Sequence, residues 1–177
     1  MLPKLTLVLG GAASGKSAWA ENLVLGGAQN PVYLATAQAW DTEMQAKIER
    51  HRLSRGDGWV TVEAPLELGL ALAQADANQA VLLDCATLWL TNHLLADHDL
   101  DHETAGLLDA LGTCAAPVVV VSNEVGYGIV PDNALSRRFR QAQGELNQKL
   151  AAQADLVVAV MAGLPLGLKG RIPERRM

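Results

Sequence analysis

Eight consecutive residues near the start of the chain, Gly10-Gly11-Ala12-Ala13-Ser14-Gly15-Lys16-Ser17, have the types and spacing to hold a phosphate chain. They meet the pattern GxxxxGK[ST] in full. Glycines let the backbone wrap so that successive N–H groups face into a phosphate-sized bowl. A helix starting directly afterwards aims its positive end at the same spot. Lys16 is then placed to reach the outer phosphates, and the Ser17 hydroxyl to hold magnesium. The chemistry indicated is binding of a nucleoside triphosphate and transfer of a phosphorus group. Asp84 closes the run Val81-Leu82-Leu83-Asp84. An acid at the end of a buried strand can bind magnesium opposite Ser17; the alternative is a cap for the helix that opens at Ala86. Glu124, in a loop with Gly126 and Gly128, can take a second hydroxyl or assist the metal, or simply close a turn.

A third group lies between Asp41 and Arg55, which reads as a helix with acids in its first turn. Met44, Ile48, His51 and Arg55 share one face of it. An imidazole nitrogen can attack phosphorus while a guanidinium holds the phosphate oxygens, and Arg50 and Arg52 add charge nearby. Spacing alone favours an ordinary solvated histidine over a nucleophile.

The elements that must position these residues are visible as apolar runs: Leu5–Leu9, Val32–Ala35, Trp59–Val62, Ala80–Asp84, Pro117–Ser122 and Leu156–Val160. Four are short, rich in β-branched residues and almost free of polar ones, as strands buried on both faces are. Helix-length segments alternate with them. The expected fold is α/β and P-loop NTPase-like (RecA-like), a mostly parallel sheet with helices on both faces. Trp59–Val62 is more polar and reads as an edge strand, with antiparallel pairing open to it. The helix from about Asp132 to Ala154 carries an apolar stripe of Leu135, Phe139, Ala142, Leu146 and Leu150, read as core. Arg137, Arg138 and Arg140 read as its solvated face. The charged end from Lys169 reads as a frayed tail. Ligands collect beyond the carboxyl ends of parallel strands, and the phosphate loop, Asp84 and the Glu124 loop all follow such ends.

Composition narrows the partners. Residues 1–177 suit one nucleotide-binding catalytic domain with one sizeable core. A formal net charge of -5 gives no general attraction to nucleic acid or to an anionic membrane. Cys85 and Cys114 sit in apolar contexts and read as reduced core thiols. The longest uncharged apolar stretch, Leu156 to Leu168, is too short to span a bilayer, and the first residues lack the plan of a signal peptide. The expected location is cytoplasmic, without stable membrane insertion.

Five blocks together resemble the bifunctional adenosylcobinamide kinase / adenosylcobinamide-phosphate guanylyltransferase family: GGAASGKS, YLATAQAWDTEMQAKIERHRLSR, VLLDCATLWLTNHLL, SNEVGYGIVPDNALSRRFRQAQGELNQKLA and AGLPLGLKG. The resemblance implies two reactions. ATP or GTP phosphorylates adenosylcobinamide; GTP then guanylylates a histidine, and the GMP passes to the cobinamide phosphate. By the same resemblance the guanylylated residue is His51, and the nucleotide contacts are Gly10 to Ser17, Ala35-Thr36-Ala37, Arg52-Leu53-Ser54-Arg55, Glu63 and Asp84. A carboxylate at Glu63 can accept from the guanine N1 and N2 donors. The family is associated with homo-oligomers, trimers among them. It commonly has arginine where this chain has Ala13. The rival expectations are a monofunctional P-loop small-molecule kinase and a GTP-binding switch module.

Overall fold

The structure is a computed structural model and describes residues 2–28, 30–38, 42, 46, 56 and 58–173. The readings made above on Met44, Ile48, Arg50, His51, Arg52, Leu53, Ser54 and Arg55 lie outside these residues.

The described strands are β1 Leu5–Gly10, β2 Asn30–Ala35, β3 Val60–Glu63, β4 Gln79–Asp84, β5 Val118–Asn123, β6 Leu156–Met161 and β7 Leu164–Lys169. They form one sheet in the order β3-β2-β4-β5-β1-β6-β7. Every pairing is parallel except that of β6 with β7. Helices α1 Lys16–Gly27, α2 Leu68–Ala73, α3 Ala86–Leu95, α4 Leu100–Thr113 and α5 Ala134–Gln153 cover it.

Alternation along the strands explains why they read as unbroken apolar runs. Leu5 and Leu7, Val81 and Leu83, and Val118 and Val120 face one core, shared with Trp89, Leu107, Leu111, Leu146 and Leu150 from α3, α4 and α5. Val8, Leu82, Val119, Val121 and Val158 face the other, shared with Trp19, Ala20 and Val24 of α1. With helices on both sides, both faces of each central strand must be apolar. Among the described residues no helix is long and apolar enough to cross a bilayer.

Three expectations change. Trp59–Val62 corresponds to β3, which is an edge strand but runs parallel to β2; the antiparallel edge is β7. Residues Ala162 and Gly163, with φ of 52° and 77°, make the tight turn that joins β6 to β7. Positive φ at both central residues matches the twist of a two-residue hairpin. The chain from Lys169 is also no frayed tail as far as residue 173. Lys169 ends β7 and donates to the carbonyls of Ala151 and Ala152 at 3.1 and 2.9 Å, satisfying the C-terminal end of α5, and Ile172 packs on the second core. Finally, Leu135 is 52% exposed and does not belong to the core stripe of α5. It lies in the first turn, whereas Leu146 and Leu150, several turns further on, belong to the first core.

Candidate active site

The sheet brings the carboxyl ends of six parallel strands to one edge. Strand register puts Glu63 of β3 beside Ala35 of β2, and Ala35 beside Asp84 of β4. Three residues expected to meet nucleotide thus stand in one row. Asp84 aligns with Val121 of β5, and Gly10 with Asn123 of the same strand. One strand therefore separates Asp84 from the phosphate loop, about 10 Å at the usual interstrand spacing. Glu124 extends that intervening strand, and its N–H donates to the Gly10 carbonyl at 3.1 Å.

The loop itself is built by close contacts that exclude side chains. A Cβ on Gly10 would lie 2.4 Å from Ser14 Oγ and 2.7 Å from the Val160 carbonyl oxygen. Gly15 has φ of +90°, and a Cβ there would lie 3.1 Å from Gly163 Cα. The β6–β7 turn is what presses on it, with Gly163 N–H donating to the Ser14 carbonyl at 2.8 Å. Ala13 also has positive φ, at 55°. Gly11 and Ala12 are exposed at the loop's mouth, and Lys16 Nζ curls back to the Gly11 carbonyl at 3.3 Å.

Helix ends show where an anion would be welcome. Asp99 caps α4 and Asn133 caps α5 with side-chain oxygens. The helices that begin at the site edge, α1 at Gly15 and α3 at Cys85, have no side-chain cap. At α1 the first N–H groups are left for another acceptor, the arrangement that makes a helix N-terminus an anion site, whereas at α3 those of Thr87 and Leu88 face the Cys85 sulfur. The cap alternative for Asp84 therefore fails, because Cys85 holds that position. Asp84 instead accepts from the Tyr33 hydroxyl at 3.1 Å. Burial and then the Asp84 carboxylate push the Cys85 thiol up to about 11, outweighing the Leu88 and Thr87 N–H groups and the Lys16 charge, which favour the thiolate. Both cysteines are buried and free.

The donor set fits magnesium. A hydroxyl at Ser17, half-buried at the start of α1, and a carboxylate at Asp84 are hard oxygen ligands of the kind magnesium takes beside phosphate oxygens and water.

Beneath the row of strand ends lies a polar clamp that motif reading did not find. The Thr36 hydroxyl donates to the Cys85 carbonyl and accepts from the Cys85 N–H, each at 2.8 Å. Asn92 of α3 donates from Nδ2 to the carbonyls of Thr36 and Pro65, each at 2.9 Å. Trp89 Nε1 donates to Leu66 at 3.0 Å. Thr36 is fully buried, so its side chain ties β2 to β4 and is turned away from solvent. The signal available in the sequence was Asn92 itself, a polar residue inside the apolar helix ATLWLTNHLL. A second network secures β5: Ser122 and Gln143 both donate to Asn147 Oδ1, at 2.7 and 3.0 Å, and Asn147 Nδ2 donates to the Asn123 carbonyl at 3.1 Å. Arg137 and Arg140, expected to be solvated, donate to the Pro131 and Gly126 carbonyls and so fold the Glu124 loop onto α5. Glu124 Oε1 accepts from Gly126 N–H at 2.6 Å, closing that loop's turn.

A parallel sheet, a glycine-built loop between β1 and α1, and a strand-end acid one strand away define a P-loop nucleotide-binding protein. Solved structures agree on the fold. The chain is similar to a Pyrococcus horikoshii OT3 protein (TM-score 0.58, 9% identity, covering 99% of this chain and 91% of that one). It is also similar to an ATPase of a bacterial type III secretion system (TM-score 0.54, 10% identity, covering 94% and 57%). Residues 6–168 match the family model described as cobinamide kinase / cobinamide phosphate guanyltransferase. The chain is 46% identical over 167 residues to the bifunctional adenosylcobalamin biosynthesis protein CobP of Pseudomonas aeruginosa, covering 93% of this chain and 96% of that one. It is 42% identical to the corresponding CobU of Escherichia coli, covering 93% and 99%. The chain belongs to the cobinamide kinase / cobinamide phosphate guanyltransferase family, and it is an enzyme of that class.

Proposed function

We propose that residues 1–177 act as one catalytic domain that carries both reactions at this strand-end edge. In the first, the hydroxyl of adenosylcobinamide takes the γ-phosphoryl group of ATP or GTP. In the second, an imidazole nitrogen of His51 attacks the α-phosphorus of GTP; an N–P bond forms and pyrophosphate leaves. The phosphate oxygen of adenosylcobinamide phosphate then attacks that phosphorus, giving adenosylcobinamide-GDP and restoring the imidazole.

The observation that carries this reading is the loop from Gly10 to Ser17, with two positions that admit no side chain and an uncapped α1 behind them. Loop N–H groups and Lys16 would hold charge as it develops on the phosphate oxygens, the main protein contribution in such transfers. Ser17 and Asp84 would hold magnesium, which when bound neutralises triphosphate charge. Arg52 and Arg55 would steady the phosphate near His51, with Leu53 and Ser54 completing the contact. Ala35, Thr36 and Ala37 would line the floor, Thr36 by fixing the backbone rather than by its buried hydroxyl. Glu63, exposed at the end of β3, would accept from guanine. β2 and β3 are parallel neighbours, so the connection carrying His51 leaves the sheet at this same edge. We further propose a cytoplasmic homo-oligomer, trimeric by resemblance, that works without nucleic acid or membrane.

The test is incubation with GTP labelled on its α-phosphate. The expected product is a covalent adduct, labile in acid and stable in base, that His51→Ala abolishes. Label retained by His51→Ala would overturn the assignment.

A further inference from the structure

Away from the nucleotide edge, the corner between α3 and α4 gathers two imidazoles and a carboxylate. His93 Nδ1 lies 2.9 Å from His98 Nδ1 and 3.7 Å from Glu103 Oε2. One ligand atom from each of the three falls within a 4.8 Å group. We propose that this is a binding site for a divalent transition ion of the zinc class, independent of the reaction proposed above.

The fold builds the cluster with little freedom. His93 is 3% exposed, and its ring is fixed edge-on against Trp89, with centroids 4.6 Å apart. Asp97, at φ of 56°, turns the chain back after α3. His98 N–H then donates to the His93 carbonyl at 3.1 Å, which brings the two rings together edge-on with centroids 5.1 Å apart. Asp99 caps α4 through the N–H groups of Asp101 and His102, and the first turn of that helix returns Glu103 to the pair.

Bond lengths of about 2.0–2.2 Å in a tetrahedron put ligand atoms roughly 3.3–3.5 Å apart. The separations of 2.9 and 3.7 Å bracket that spacing. His98 and Glu103, both half-buried, can supply the small adjustment by side-chain rotation. Two imidazoles with one carboxylate suit zinc, nickel or copper, whereas magnesium prefers oxygen alone. The site also has an approach. A cleft of about 540 Å³ runs past His98, lined by Asp97, Asp99, Asp101, Glu145 and Arg138; Arg138 pairs with Asp97 at 3.8 Å and Lys149 with Asp101 at 3.2 Å. Four carboxylates against these two cations leave a negative balance that draws cations towards the open side of the cluster.

The full chain, stripped with chelator, is titrated with Co2+ and with Zn2+ near neutral pH. The expected result is saturable binding of a single ion, with visible Co2+ bands of a low-coordinate site, unaffected by excess Mg2+. Zn2+ at 100 times its Kd should raise Tm by roughly 5–10 °C. His98→Ala and Glu103→Gln should each weaken binding by about 100-fold or more and abolish the Tm shift. His102→Ala, altering an exposed residue outside the cluster, should bind like the parent. No saturable ion, or binding unchanged in both ligand variants while each melts cooperatively, would overturn the proposal and leave a hydrogen-bonded imidazole pair.

Discussion

Replacing Thr36 by valine keeps the shape of a fully buried side chain and removes only its hydroxyl. That hydroxyl makes two bonds of 2.8 Å with Cys85, one to each backbone group. The two losses differ. The Cys85 carbonyl keeps a second donor, the Trp89 N–H at 3.2 Å, so its cost is one neutral hydrogen bond, about 1 kcal/mol. The Cys85 N–H donated to Thr36 and is left buried without a partner, which costs about 1–3 kcal/mol. Thr36→Val should therefore destabilise by about 2–4 kcal/mol. For a chain of this length that lowers Tm by roughly 4–16 °C, and it moves the urea midpoint by about 1–2 M at an m-value near 2 kcal/mol/M. Thr36→Ser loses a methyl group and keeps both bonds, costing about 1 kcal/mol. Urea unfolding of both variants, followed by circular dichroism, checks the ordering. An unchanged midpoint for Thr36→Val, or equal losses for the two variants, would refute the clamp. Because Cys85 follows Asp84, the valine variant should also lower kcat/KM for the kinase step where folded protein predominates.

Two further outcomes follow from the loop and the buried thiol. Gly15→Ala forces an L-residue to φ of +90° with its Cβ 3.1 Å from Gly163 Cα; the strain of about 1–2 kcal/mol should weaken binding of a fluorescent GTP analogue by roughly tenfold, and unchanged affinity would mean that the loop opens freely. Cys85 is held protonated to about pH 11 in the fold against an ordinary value of 9.0. Between those values the unfolded chain has lost the thiol proton and the native chain keeps it, so stability is unaffected below pH 9 and falls above it by about 1.4 kcal/mol per pH unit. Cys85→Ser should remove that component of the slope in denaturant titrations, and an identical slope in the variant would contradict it.

The sequence made the central strands legible because burial on both faces leaves no room for polar alternation. It made the phosphate loop legible because the chemistry tolerates few substitutes at Gly10, Gly15, Lys16 and Ser17. β7 was hidden by Pro165 and Gly167, which are poor in strands generally but acceptable on an edge, where Pro165 pairs with Val160 on its one partnered side. The direction of β3 was hidden for a different reason. A short, exposed strand satisfies the same composition whether it runs parallel or antiparallel, and only its connection to β2 decides. Leu135 illustrates a third limit: helical spacing begins before the core does, so the first residue of a stripe is apolar without being buried.

What the motifs could not reveal is how the row of Glu63, Ala35 and Asp84 is kept in line. These residues end three neighbouring strands, where ladder hydrogen bonds stop and backbone groups need other partners. Thr36 supplies them between β2 and β4, and Asn92 supplies them between β2 and the segment after β3. Thr87 does the same for β5, accepting from the Asn123 N–H at 2.8 Å. All three devices touch α3 or the residue that starts it. One helix therefore fixes the relative height of four strand ends, while its own N-terminus is left without a side-chain cap. The same helix thus holds the strand ends from both of its halves, through Thr87 in its first turn and Asn92 in its last.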